Sequence, residues 1–216
     1  MSSPRFASVV LDVDSTLCGI EGIDWLAARK DPTIAAEIAA LTSAAMAGEV
    51  RLEDVYARRL DQIRPDADDI NALAQAYRVA IAIGAADTVR MLRSAGVQLH
   101  LVSGGLREAI VPLGRDLGFR DSEIHAVSVR LDSRGHYVDF DRISPLVSAA
   151  GKRTIVAALD LPMPRLAVGD ASTDAALIGV TESFAVFTGF VRREQVVRIA
   201  QHECRSFLDL LHLVLP

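Results

Sequence analysis

Cysteine is nearly absent: Cys18 and Cys204 are the only two in 216 residues, far apart and without CxxC spacing. That excludes a disulfide scaffold and fits a reducing compartment. There is no run of Lys or Arg and no basic stripe, and the formal charge is −5, so no nucleic-acid partner is expected. Long apolar runs are missing too. Residues 79–86 and 97–102 are both too short to span a bilayer, so no membrane partner is expected. The first five residues, Met1-Ser2-Ser3-Pro4-Arg5, lack a signal-peptide layout, which points to a cytoplasmic protein. The five histidines form no HxH, HExxH or paired spacing and read as structural, so a zinc site is not expected. No repeat or low-complexity segment is visible.

What is there suits a folded chain. Half the residues are apolar and 24% are charged, and the length supports a full core in one or two domains. Residues 6–11 are apolar and β-branched, an interior strand. Apolar residues then recur at helical spacing through Ile23, Leu26, Ile34, Ile38, Leu41, Leu52, Val55, Tyr56, Leu60, Ile70, Leu73 and Tyr77. Pro32 opens one of these helices, Gly48 stops it, Arg64-Pro65 ends the next and Asp66 caps the last. Residues 21–80 thus read as an insertion of about four helices.

Beyond Gly84 the pattern alternates. Helices are predicted over 85–94, 106–117, 152–159 and 172–178, and strands over 97–102, 164–168 and 184–187. Residues 124–131 and 136–140 read as a strand pair joined at Gly135, and two terminal helices start near Arg192 and Ser206. Such alternation indicates an α/β fold with a doubly wound, mostly parallel sheet, Rossmann-like, carrying an inserted all-helical unit. The expected domains are residues 1–18 with 82–216 for the α/β core and 19–81 for the helices.

Each polar motif follows a strand's carboxyl end, the edge where open α/β sheets bind ligands. Asp12-Val13-Asp14-Ser15-Thr16 places two carboxylates on one face if the strand continues, and a buried pair of this kind needs a cation or a shared proton. Alternatively it is an acidic turn in which Asp14 or Ser15 caps a helix. Ser103-Gly104-Gly105 reads as a tight turn whose hydroxyl and amides suit an oxyanion, or as a plain strand-to-helix turn. Lys152 alone would be a surface charge, but it stands before a strand ending in Gly169-Asp170. Asp170 and Asp174 can share a face, and carboxylates are ligands for hard cations such as Mg²⁺.

Taken together, DxDST, SGG, an isolated Lys and GDxxTD in this order resemble the haloacid dehalogenase superfamily in its phosphatase branch. The motifs look most like those of its phosphoserine phosphatases, and the resemblance runs over residues 9–197. It implies a Mg²⁺-dependent phosphomonoesterase in which Asp12 is the nucleophile, forming an aspartyl-phosphate, and Asp14 is the acid and base. Ser103, Gly104 and Lys152 would bind the phosphoryl group. Asp12, Asp14 (through its carbonyl) and Asp170 would hold the metal, with Asp174 supporting from outside. The helical insertion sits where the family carries its cap, and Glu21, Met46, Arg59 and Thr173 would bind substrate. The implied substrate is the small metabolite O-phosphoserine, which would place the protein in serine biosynthesis; a homodimer is compatible with this.

Two departures stand out. Ala171 replaces the second glycine of the usual GDGxxD, and Phe187-Thr188-Gly189-Phe190 replaces F-G-G-N. They leave other small phosphomonoesters, or phosphoryl transfer to an alcohol, as the alternative activity. In a different class stands a phospho-accepting switch module, which would need neither the long helical insertion nor the GDxxTD element.

Overall fold

The computed structural model describes residues 3–46 and 51–215; the side chains of residues 42–46 and of Leu52 lie outside the description, as does the stop expected at Gly48. The chain opens with β1 (Ser8–Leu11), buried at every position. Four helices follow: α1 (Gly22–Lys30), α2 (Pro32–Met46), α3 (Leu52–Ile63) and α4 (Ala67–Val79). Next come α5 (Ala85–Ser94), β2 (Gln98–Leu106), α6 (Arg107–Asp116), β3 (Ile124–Val127), β4 (Val129–Leu131) and β5 (Tyr137–Phe140). The last stretch is α7 (Gly151–Ala158), β6 (Arg165–Gly169), α8 (Ser172–Ala175), β7 (Ser183–Phe187), α9 (Glu194–Val197), β8 (His202–Cys204) and α10 (Phe207–Val214).

Six strands form one sheet in the order β3-β2-β1-β6-β7-β8, every pairing parallel. Near-continuous burial along β1, β2, β6 and β7 is the mark of a parallel sheet covered on both faces. β1 pairs with β2 on one side and β6 on the other, with Val9 facing both Leu99 and Leu166. The chain therefore departs in opposite directions from the two sides of β1, which opens a crevice at its carboxyl end.

Four local expectations change. Residues 103–105 are not a tight turn; they continue β2 in extended form, and the ladder to β3 shifts register between Val102 and Leu106. Residues 124–131 divide at Ser128. The first half joins the sheet as β3, and the second pairs with β5 as an antiparallel hairpin. The helix expected over 172–178 ends at Ala175. The tract after Arg192 is a four-residue helix and then β8, a strand the helical reading missed.

The helices α1–α4 stand between two linkers that lie side by side. Gly19 donates its amide to the Ala80 carbonyl at 2.8 Å, and Ala82 to the Leu17 carbonyl at 2.9 Å. Within the insertion, Leu26, Leu60, Leu73 and Tyr77 are fully buried, the outcome of their helical spacing. Asp66 starts α4 with a reciprocal cap, accepting from the Asp69 amide at 2.9 Å while its own amide donates to Asp69 Oδ2. The helices also grip the α/β part. Tyr56 Oη donates to the Gly104 carbonyl at 2.9 Å, and the Ala67 amide to the Gly135 carbonyl at 2.9 Å.

Candidate active site

β1 ends at Leu11, so Asp12 and Asp14 do not share a strand face as the spacing suggested. The Asp12 amide donates to the Val168 carbonyl at 3.0 Å, which anchors it between β1 and β6. The chain then turns sharply. Ser15 has φ of +51°, a left-handed conformation that is costly for a residue with a Cβ, and its hydroxyl donates to Glu21 Oε1 at 2.6 Å. Ahead of that turn, the two carboxylates meet different partners.

Asp12 meets Lys152. From the first turn of α7, the buried Lys152 ammonium lies 2.6 Å from Asp12 Oδ1 and 2.6 Å from Asp174 Oδ1. Burial alone would lower the lysine pKa, but the two carboxylates reverse this and hold the charged form. Asp174 Oδ2 accepts from the Ala171 amide at 3.0 Å, so both oxygens of that carboxylate are engaged. Asp12 is pushed well above the usual carboxylate range by burial and then by Asp174, with Lys152 opposing. Asp170 is raised to about 6, again by burial first and Asp174 second. One oxygen each from Asp12, Asp170 and Asp174 lie within 4.8 Å of one another, an all-oxygen set suited to a hard cation.

Asp14 points the other way. Its Oδ1 accepts from the Gly22 amide at 2.7 Å and from Tyr77 Oη at 2.8 Å, and its Oδ2 accepts from Ser103 Oγ at 3.2 Å. Burial raises its pKa, and the Tyr77 and Gly22 hydrogen bonds counter that rise. Ser103 Oγ in turn accepts from the Gly105 amide at 2.9 Å, so it caps no helix. The extended backbone at 103–105 brings Gly105 against Asp14. A Cβ there would lie 2.8 Å from Asp14 Oδ2, which is why no side chain fits.

The remaining expected residues are less uniform. Glu21 is held by Ser15 and keeps a 46% exposed side chain, yet desolvation and Asp14 push it up to about 7. Arg59 pairs with Asp24 inside the insertion, and its Nε has no partner among the described residues. Thr173 is half-buried in α8. Met46 ends α2, but its side chain lies outside the described residues. Ala171 is extended at φ −109°, so it carries no strain in place of glycine. Phe190 packs on Phe187 and against Gly19 in the first linker.

Two further residues contact the site, and the sequence pattern does not single them out. Arg193 donates from Nε to Asp170 Oδ2 at 3.0 Å and stands 3.8 Å from Glu21 Oε1. Its signal was its place after β7, at the same sheet edge as the other motifs. Tyr77 was read only as a packing residue of α4; nothing local marks a hydroxyl that bonds a carboxylate 63 positions away.

Fold and site together define a doubly wound α/β enzyme with an acid-rich centre at the switch point of its sheet. The model of the haloacid dehalogenase-like hydrolase family matches residues 9–178, and the chain belongs to that family. The chain is 29% identical over 207 residues to the phosphoserine phosphatase of Mus musculus, covering 94% of this chain and 91% of that one. It is 30% identical over 208 residues to the phosphoserine phosphatase of Drosophila melanogaster, covering 94% and 76%. The crystal structure of a phosphoserine phosphohydrolase-like protein from Francisella tularensis shares the fold, with a TM-score of 0.83 at 24% identity over 96% of this chain and 99% of that one. No helix among the described residues is long and apolar enough to cross a membrane.

Proposed function

We propose that this protein is a Mg²⁺-dependent phosphomonoesterase that works through a phosphoryl group carried on Asp12. O-phosphoserine is its proposed substrate, with serine and phosphate as products. One observation carries the reading: a buried Lys152 clamps Asp12 from one side, while Asp14 is oriented separately by Gly22, Tyr77 and Ser103. Adjacent acids with different partners are what a nucleophile and an acid–base require.

In the proposed step an Asp12 oxygen bonds to phosphorus as the ester oxygen leaves with a proton from Asp14. Water then attacks the phosphoryl group, returning a proton to Asp14 and freeing Asp12. Lys152, Ser103 and the backbone at Gly104 offset the charge on the transferring group. As the family resemblance implies, Asp12 and Asp170 with the Asp14 carbonyl would hold Mg²⁺; Asp174, both of whose oxygens are engaged by Lys152 and the Ala171 amide, would support from outside. Bound there, the ion would neutralise phosphoryl oxygens during transfer.

Substrate selection is assigned to the insertion, taken as a cap over residues 19–81. Glu21 would accept the substrate ammonium and Arg59 would meet its carboxylate, with Met46 alongside and Thr173 contributing from α8 in the α/β part. The named relatives support phosphoserine as the ester; a cytoplasmic role in serine biosynthesis is part of the proposal. Phe190 against Gly19, where the family pattern has Asn, favours a second reading in which another small phosphomonoester is preferred. A switch module is disfavoured by the four-helix insertion and by the Asp170–Asp174 element. The test is phosphate release from a panel of phosphorylated metabolites with Mg²⁺ and with a chelator. Phosphoserine should lead the panel, and the chelator should abolish release; no release from any ester would overturn the proposal.

A further inference from the structure

Asp14 takes most of its hydrogen bonds from outside the α/β core. Of the three donors to its carboxylate, only Ser103 belongs to the sheet. The other two converge on Oδ1 from the insertion: the Gly22 amide at the start of α1 and the Tyr77 hydroxyl from the last turn of α4. Tyr77 is fully buried, and a phenol stripped of its water is destabilising unless the hydroxyl finds an acceptor. Leucine or phenylalanine would fill this face of α4 without that cost. The surroundings are also shaped to the hydroxyl. Residue 22 must be glycine, since a Cβ there would fall 2.0 Å from Tyr77 Oη. With Oδ1 doubly occupied, Oδ2 beside Ser103 and Gly105 is the oxygen left to exchange a proton.

We infer that Tyr77 is a positioning residue for Asp14, carried by the insertion, so that the proton-transferring oxygen is aligned only while α1 and α4 are docked on the core. The inference rests on the acid–base role proposed for Asp14. It makes the insertion part of the catalytic geometry and more than a reader of substrate. In the step concerned, the proton leaves Asp14 Oδ2 for the ester oxygen as the phosphorus–oxygen bond breaks and the bond to Asp12 forms. A rotated Asp14 would slow this step without changing how the ester binds.

The test is Tyr77→Phe, which keeps the ring and its packing; circular dichroism checks that the fold is intact. With O-phosphoserine, whose alkoxide must leave with a proton, kcat/KM should fall about tenfold or more. With p-nitrophenyl phosphate, whose phenolate leaves unaided, it should fall less than about threefold. In an Asp14→Asn background the same substitution should cost nothing further, because the oxygen it aligns is already disabled. Equal losses on both esters that persist beside Asp14→Asn would mean that Tyr77 only stabilises the structure, as would no loss at all; either result overturns the inference. A wild-type protein that turns over neither ester would instead overturn the phosphatase reading, and this inference with it.

Discussion

The carboxyl edge of the sheet and the helical insertion both reach the site, and they differ in how they hold what they present. At the edge, Asp12, Ser103, Lys152, Asp170 and Asp174 are all buried; Ser103 lies within β2, and the others follow a buried strand or stand in the first turn of a helix. Their charges face one another: Lys152 lies between two carboxylates, and Arg193 meets Asp170. Across the crevice, Glu21 and Asp24 have side chains 46% and 39% exposed, so water reaches these carboxylates. A dry edge fixes geometry and strengthens its fields, which chemistry needs; a wetter surface can trade partners, which selection needs. Tyr56, Tyr77 and Gly22 depart from this contrast: they are buried groups of the insertion that hydrogen-bond the edge.

This contrast can be broken from either side. The largest effect is expected at the edge, from Gly105→Ala. The added methyl would meet Asp14 Oδ2 at 2.8 Å and Ile110 Cδ1 at 3.0 Å, so it must displace Asp14 or the core. Activity should fall about tenfold or more, with about 1–3 kcal/mol of stability lost to overpacking. Phosphate release and denaturant unfolding check the two parts, and an unchanged rate would show that Asp14 is not held as tightly as described. A smaller and more local effect is expected in the insertion from Asp66→Ala, which removes the cap of α4. It should cost about 1 kcal/mol and raise amide exchange in α4 while leaving the sheet protected. Loss of protection across the sheet as well would show that the two regions unfold as one.

Much of this was legible in the chain because the signals are local. The buried runs of β1, β2, β6 and β7 and the helical spacing of α1–α5 read through directly. So did the acids, serine and lysine after the strands, because strand ends in parallel sheets converge on one edge. The failures share a physical cause. β8 is three residues long with only Cys204 buried, too short for periodicity to show. The break at Ser128 has no glycine or proline to mark it, since what turns the chain is pairing with β5. Asp14's partners Gly22 and Tyr77, and Asp170's partner Arg193, are set by how helices dock, and docking leaves no pattern in sequence. The left-handed turn at Ser15, just beyond Asp14, is likewise not announced by serine.

The central claim is that Asp12 carries the phosphoryl group while Asp14 handles the proton. It is tested most directly by acid-quenching the Mg²⁺-loaded protein during turnover of O-phosphoserine and mapping the phosphorylated peptide by mass spectrometry. The account predicts one phosphoryl group on Asp12, absent in Asp12→Asn and formed more slowly in Asp14→Asn, which lacks the proton the alkoxide needs to leave. Phosphate release by Asp12→Asn at the wild-type rate, or a phosphoryl group on another residue, would contradict it.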